Sequence, residues 1–278
     1  MTLEEKHLSN KVAWITGSSR GIGQSIIRHL AEAGANVVLH GTSPDSPRTF
    51  DEGESLQAIA REIEKKYQVR CLPVHGDLTQ EDTVSRIVNQ IHDEFERIDI
   101  LVHCAGGDIG TRGVQAPLAG KPEKNDAVFV STEDIRTVLN RNLLTCILCC
   151  RAVAPEMMQR KSGKIVTIGS IAGLKGVEYS VIYATAKAAL HHYTRCLAVQ
   201  LKPYNVNVNS VAPGDIVTER WKASRDYDQD KMVAGGTLNR YGRVEEISSV
   251  VEFLVSSKSS YISGQVIRVD GCVQPWPA

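Results

Sequence analysis

Apolar runs rich in β-branched residues alternate along this chain with segments whose apolar positions recur every three or four residues. Seven runs predict strands: Val12 to Thr16 (VAWIT), Asn36 to His40 (NVVLH), Cys71 to Asp77 (CLPVHGD), Ile98 to Gly106 (IDILVHCAG), Lys164 to Ser170 (KIVTIGS), Asn205 to Gly214 (NVNVNSVAPG) and Gln265 to Gly271 (QVIRVDG). They are nearly continuous in apolar character, as strands covered on both faces are, and helical patterns separate them. The pattern predicts one α/β domain over residues 1–278, built on a doubly wound parallel sheet of seven strands with right-handed crossovers.

Local signals place the helix ends. Thr79 with Asp82, and Ser131 with Asp134, read as capping boxes with a shorter acid. Gly34 closes the first helix where a positive φ is wanted. Leu139 to Met158 reads as one long helix, too hydrophobic to face water. Two segments break the rhythm, Gly107 to Val130 and Ile216 to Leu238. Both leave carboxyl ends of strands, where an open α/β sheet forms its ligand crevice, so both are expected to meet substrate.

The charge balance narrows the choice of partner. With 32 basic and 32 acidic residues there is no broad basic surface for nucleic acid or anionic lipid, and a small ligand is expected. The seven cysteines have no histidine at metal-ligand spacing, so no metal is expected; they read as reduced thiols of a cytoplasmic protein. The first ten residues lack the apolar core of a signal peptide. Leu143 to Cys150, the most apolar run, is far short of the ~20 residues that span a bilayer. No membrane association is expected.

The stretch TGSSRGIG, Thr16 to Gly23, lies between the first strand and the first helix. Gly17, Gly21 and Gly23 allow a tight turn and close approach of backbone amides to a pyrophosphate at the helix N-terminus, a Rossmann-like dinucleotide site. An NAD site of this kind puts an acid at the end of the second strand to hold the ribose 2′-hydroxyl. Here the chain reads LHGTS, with Thr42 there and no carboxylate before Asp45. Arg20 is placed to meet a 2′-phosphate, so NADP(H) is favoured and NAD(H) remains possible.

Tyr183 and Lys187 in YATAK stand one helical turn apart on one face. Such a pair is common on ordinary helices. Next to a dinucleotide site it has a use, because an ammonium favours phenolate and brings the phenol toward working pH as an acid or base.

TGSSRGIG, HCAG, Asn142 in NRNLL, YATAK thirteen residues after Ser170, and APGDIVT occur in that order over nearly the whole chain. Together they resemble the short-chain dehydrogenases/reductases. The glycine loop and the ending ISGQVIRVDG are most similar to the 3-oxoacyl-carrier-protein reductases of that family.

The resemblance implies roles. Tyr183 would pass a proton to or from the substrate oxygen, and Lys187 would lower its pKa and hold the nicotinamide ribose. Ser170 would hydrogen-bond the substrate carbonyl, and Asn142 would position a water linking Lys187 to solvent. Ser19, Ile22, Ala105 and Gly106 would line the dinucleotide, Asp77 and Leu78 its adenine, and Pro213, Gly214, Ile216 and Thr218 its nicotinamide end. An NADPH-dependent reductase of 3-oxoacyl thioesters is implied. A sugar, polyol or other secondary-alcohol dehydrogenase is the alternative, and a cofactor-binding regulator without turnover is the alternative of another class. The family's apolar helix pairs across a dimer interface, so a homo-oligomer, dimer or tetramer, is expected.

The chain departs from the family where NNAG becomes HCAG, DGG becomes DGC at Cys272, and the 107–130 loop is enlarged. Cys104 is expected to be a small buried thiol, Trp14 a core residue, and His191 and His192 helix surface. Trp221 and Trp276 fall in flexible or terminal segments.

Overall fold

The computed structural model describes residues 6–232 and 236–276, so positions 233–235 of the second irregular segment lie outside the described residues. All seven strands form: β1 Val12–Thr16, β2 Asn36–Gly41, β3 Cys71–His75, β4 Ile100–His103, β5 Gly163–Ile168, β6 Val206–Pro213 and β7 Val266–Val269. They make one sheet in the order β3-β2-β1-β4-β5-β6-β7, with every neighbouring pair parallel. The order reverses between β1 and β4, and the crevice of a doubly wound sheet opens above that point.

Helices cover both faces. Alternate residues of β1 show why its sequence is apolar throughout: Ala13 and Ile15 pack with α1 (Gly21–Glu32), α2 (Leu56–Tyr67) and α8 (Val244–Val255). Val12 and Trp14 point the other way, toward α3 (Glu81–Phe95), α5 (Thr145–Arg160) and α6 (Val181–Leu201). Trp14 is a core residue, as expected.

Helix ends follow the sequence in part. Ser131 caps α4 (Thr132–Leu139), accepting the Asp134 N–H at 3.1 Å and donating to Asp134 Oδ2 at 3.0 Å. Gly34 follows α1 at φ +100°. Thr79 does not cap α3: the helix starts after Gln80, and Asp77 Oδ1 instead accepts the Thr79 N–H, closing the turn before it.

The expected single helix over 139–158 lies within one continuous helix, Thr132–Arg160, interrupted by a π-helical turn, Asn140–Leu144, between α4 and α5. That irregularity carries Asn142, consistent with π-turns marking functional positions. The whole stretch Thr132–Arg160 is apolar and long enough to cross a membrane by composition alone, but half of its most apolar window is buried inside the fold.

Candidate active site

The glycine loop is held from beneath. Gly17 has φ +64°, and a Cβ there would stand 2.8 Å from the Ala105 Cα. Its N–H donates to His40 Nδ1 at 3.0 Å, so the imidazole proton sits on Nε2, which donates to the Gly76 carbonyl at 3.1 Å. Burial pushes the His40 pKa down to about 4, keeping the ring neutral. Thr16 Oγ1 accepts the N–H groups of Cys104 and Ala105, at 3.1 and 3.0 Å. That tie fixes HCAG beside the loop without the family's asparagine.

Ser19 is buried and donates its N–H to the His40 carbonyl, and Ile22 packs on the core beneath α1. Arg20 precedes α1, its guanidinium 5.2 Å from the Phe50 ring centre and its Nη1 buried without a partner. A cleft of about 950 Å³ opens there, with Arg20, Thr42, Arg48 and Phe50 on one side and residues 112–119 of the enlarged loop on the other. Asp77 lies near Arg141, and Leu78 is buried against the α3 face. Glu52, which the sequence did not single out, places its carboxylate on the Gly21 N–H at 2.5 Å, at the positive end of α1. Only the folding back of the 42–55 loop, which no local pattern encodes, brings it there.

Asn142, Ser170, Tyr183 and Lys187 converge on the other side of the crevice. The Asn142 amide uses three of its four positions: Oδ1 accepts the Gly107 N–H at 2.9 Å, and Nδ2 donates to the carbonyls of Gly107 and Val138 at 2.9 and 2.8 Å. A Cβ on Gly106 would stand 2.6 Å from that Oδ1 and 3.5 Å from Lys187 Nζ. Lys187 is 4 % exposed, donates to the Ile168 carbonyl at 2.8 Å, and is pushed down to about 8 by burial.

Tyr183 does not show the lowered pKa that Lys187 was expected to give. Burial raises it, and the opposing pulls come first from the neighbouring Ser170 hydroxyl, then from Arg220 and Arg225. Ser170 Oγ also accepts the Ala172 N–H at 3.1 Å, and the Ser170 N–H points at His191 Nε2 at 3.4 Å. His191 is therefore buried, not on the helix surface; burial first and Lys187 second push it down to about 4. His192, beside it, is exposed as expected.

At the far wall Pro213 ends β6, Gly214 follows, and Ile216 is buried, bridged to Gly242. Thr218 caps the short helix α7 (Glu219–Ala223) by accepting the Trp221 N–H, and its methyl faces Gly21. Trp221 is buried too. It packs 4.6 Å from the Tyr241 ring and donates from Nε1 to Asp215 at 3.1 Å. Trp276 is exposed near the end of the chain. The Cys104 thiol is pushed up to about 11 by burial, which makes it inert. Among the described residues no group of histidine, cysteine or carboxylate side chains is arranged to hold a metal.

A glycine cradle at a switch point, beside a serine, a phenol and a buried ammonium, defines an oxidoreductase that works with a nicotinamide dinucleotide on carbonyl or alcohol carbon. Comparison with known proteins agrees. A family model described as Enoyl-(Acyl carrier protein) reductase matches residues 17–274, and the chain belongs to the short-chain dehydrogenases/reductases. It is 36% identical over 269 residues to a 3-oxoacyl-[acyl-carrier-protein] reductase of Aquifex aeolicus (strain VF5), covering 96% of this chain and 98% of that one. It is 37% identical over 270 residues to a cyclohexanol dehydrogenase of Rhodococcus sp. (strain TK6), covering 95% and 96%. Among solved structures it resembles a 7α-hydroxysteroid dehydrogenase complexed with NADH and 7-oxo glycochenodeoxycholic acid, with TM-score 0.80 and 28% identity over 98% and 97% of the two chains.

Proposed function

We propose that this chain is an NADPH-dependent carbonyl reductase acting on a short 3-oxoacyl unit, with Ser170, Tyr183 and Lys187 as its reacting groups and Asn142 holding the loop beside them. The observation that carries the reading is that the Ser170 hydroxyl neighbours the Tyr183 phenol, with Lys187 buried one helical turn away. These two hydroxyls are the donors a carbonyl oxygen needs as charge develops on it.

The dinucleotide site fits its ligand. Side chains at Gly17 and Gly23 would collide with backbone at 2.8 and 2.4 Å, so glycine is what lets the loop close this tightly at the start of α1, and Arg20 Nη1 is buried beside the cleft with no partner of its own. Gly17, Ser19, Gly21, Ile22 and Gly23 would hold the pyrophosphate, and Asp77 and Leu78 the adenine. Ala105, Gly106, Pro213, Gly214, Ile216 and Thr218 would flank the nicotinamide. Arg20, Arg48 and Thr42, with no acid ending β2, support NADP(H). The bound nicotinamide supplies or accepts the hydride. Tyr183 gives its proton to the substrate oxygen in reduction and removes it in the reverse direction, and Ser170 holds that oxygen in line. Lys187, still largely charged below about pH 8, stabilises the phenolate left behind.

A second reading, oxidation of a cyclic or polyhydroxylated secondary alcohol, is supported by the cyclohexanol dehydrogenase relative and by the polar 107–130 loop beside the cleft. A soluble cytoplasmic homo-oligomer is part of both readings. The test is the initial rate of NADPH oxidation with 3-oxobutanoyl compounds against keto-sugars and cyclohexanone, with NADH in parallel. The 3-oxoacyl reading expects the first group to lead with NADPH. A lead for cyclohexanone or keto-sugars, or for NADH, replaces it with the second.

A further inference from the structure

Arg220 lies at the mouth of the site and is the arginine that acts most strongly on Tyr183, ahead of Arg225. It projects from α7, in the segment after β6. Its Nη2 donates to the carbonyl of Asp108 at 2.8 Å and to that of Ala119 at 3.3 Å, so it joins the two irregular segments over the reacting groups. Its other donors are unspent. Nε is buried with no partner, and Nη1 stands 3.4 Å from the position a Cβ on Gly107 would take, at the edge of the crevice beside Gly106. Tyr183 and Arg220 are close enough for each to act on the other's proton affinity.

The charges around it do not balance. Six charged groups meet here: Arg220, Arg225, Lys121 and, from the glycine loop, Arg20 against Asp108 and Asp215. Asp215 is taken by Arg225 at 2.7 Å and by the Trp221 indole. Asp108 is buried, with Oδ2 on the Asn125 amide at 2.7 Å and Oδ1 unpaired. Among the described residues neither Arg220 nor Lys121 forms an ion pair. A guanidinium bound only to neutral carbonyls, with its Nε buried and unpaired, is a costly arrangement unless an anion completes it. A structural strut would need only the Nη2 bonds.

We infer that Arg220, with Lys121 beside it, binds a carboxylate on the substrate, so that the compound reduced or oxidised at Tyr183 is a small oxo acid or hydroxy acid. This rests on the carbonyl–alcohol reading above and narrows it: the acyl end of the 3-oxoacyl unit enters as a free anion. Planar bidentate pairing with a carboxylate is what a guanidinium fork does best, and such a bond discriminates strongly against an ester of the same shape.

Two measurements separate this claim from the reading it rests on. Calorimetric titration of the NADP⁺-loaded protein with 3-hydroxybutanoate and with methyl 3-hydroxybutanoate needs no turnover. The carboxylate should bind at least about 30-fold tighter. Arg220→Met should erase most of that preference and Arg220→Lys should restore part of it, with melting curves confirming that both variants fold. Steady-state reduction of 3-oxobutanoate and its methyl ester should show the same preference in kcat/KM. Equal binding of acid and ester by the unaltered protein overturns the inference. So does an Arg220→Met variant that weakens both equally, which is the behaviour of a strut. A clear preference for the acid in binding, without reduction of any carbonyl, leaves the anion site standing and defeats the reductase reading instead.

Discussion

Lys187 Nζ lies 5.6 Å from the centre of the Tyr183 ring, one helical turn along α6, and is buried beneath it against the Ile168 carbonyl. An ammonium in that position meets low dielectric before it meets any carboxylate, which is why its pKa falls to about 8.

The first prediction follows from that depression. Between about pH 8 and pH 10.5 the unfolded chain holds a proton on this lysine that the folded chain has released, so its contribution makes stability rise with pH across that window. Urea unfolding at pH 7.5 and pH 10 should show the native protein gaining on Lys187→Met by about 2 kcal/mol. No change in the difference would mean that Lys187 is solvated in the folded state.

His191 gives a pH dependence of the same sign in a lower window. Its ring is held neutral to about pH 4, so as pH falls from 6.5 the unfolded chain takes up a proton that the folded chain refuses, and stability is lost. His191→Leu should flatten the stability profile between pH 6.5 and pH 4.5 by about 2 kcal/mol relative to the native protein. Parallel profiles would refute the assignment.

Glu52 competes with phosphate for the end of α1. Its carboxylate occupies the Gly21 N–H, and two anions cannot share one positive helix end without repulsion. Glu52→Gln should bind NADPH about fivefold more tightly by fluorescence titration. Weaker binding would show instead that the carboxylate holds a ribose hydroxyl.

Much of this was legible beforehand, for definite reasons. Strands buried on both faces announce themselves as unbroken apolar runs, so β1 through β7 were found with errors only at their ends. The glycine loop and the Tyr183–Lys187 pair are local, set by neighbours in the chain. What sequence missed depends on contacts between distant segments. His191 was read as helix surface or interface because it adjoins His192, and neighbours on a helix point in different directions; here it is buried against Gly169, where a Cβ would come within 2.0 Å of its Nε2. Trp221 was read as mobile because its segment is charged; two tyrosines and Asp215 enclose it. Glu52 and Arg220 gain their positions from loops whose folding no periodicity records. The pull of Lys187 on Tyr183 was expected from spacing and from the family resemblance; Ser170, Arg220 and Arg225 pull on the phenol instead, and burial outweighs them.

The central claim is that the Tyr183 hydroxyl delivers the proton in carbonyl reduction, and single-turnover reduction of 3-oxobutanoate by NADPH-loaded protein tests it most directly. Tyr183→Phe, which keeps the ring and removes only the hydroxyl, should slow the turnover by at least about a thousandfold while NADPH affinity stays within about threefold. A phenylalanine variant that reduces the substrate at the native rate would contradict the account.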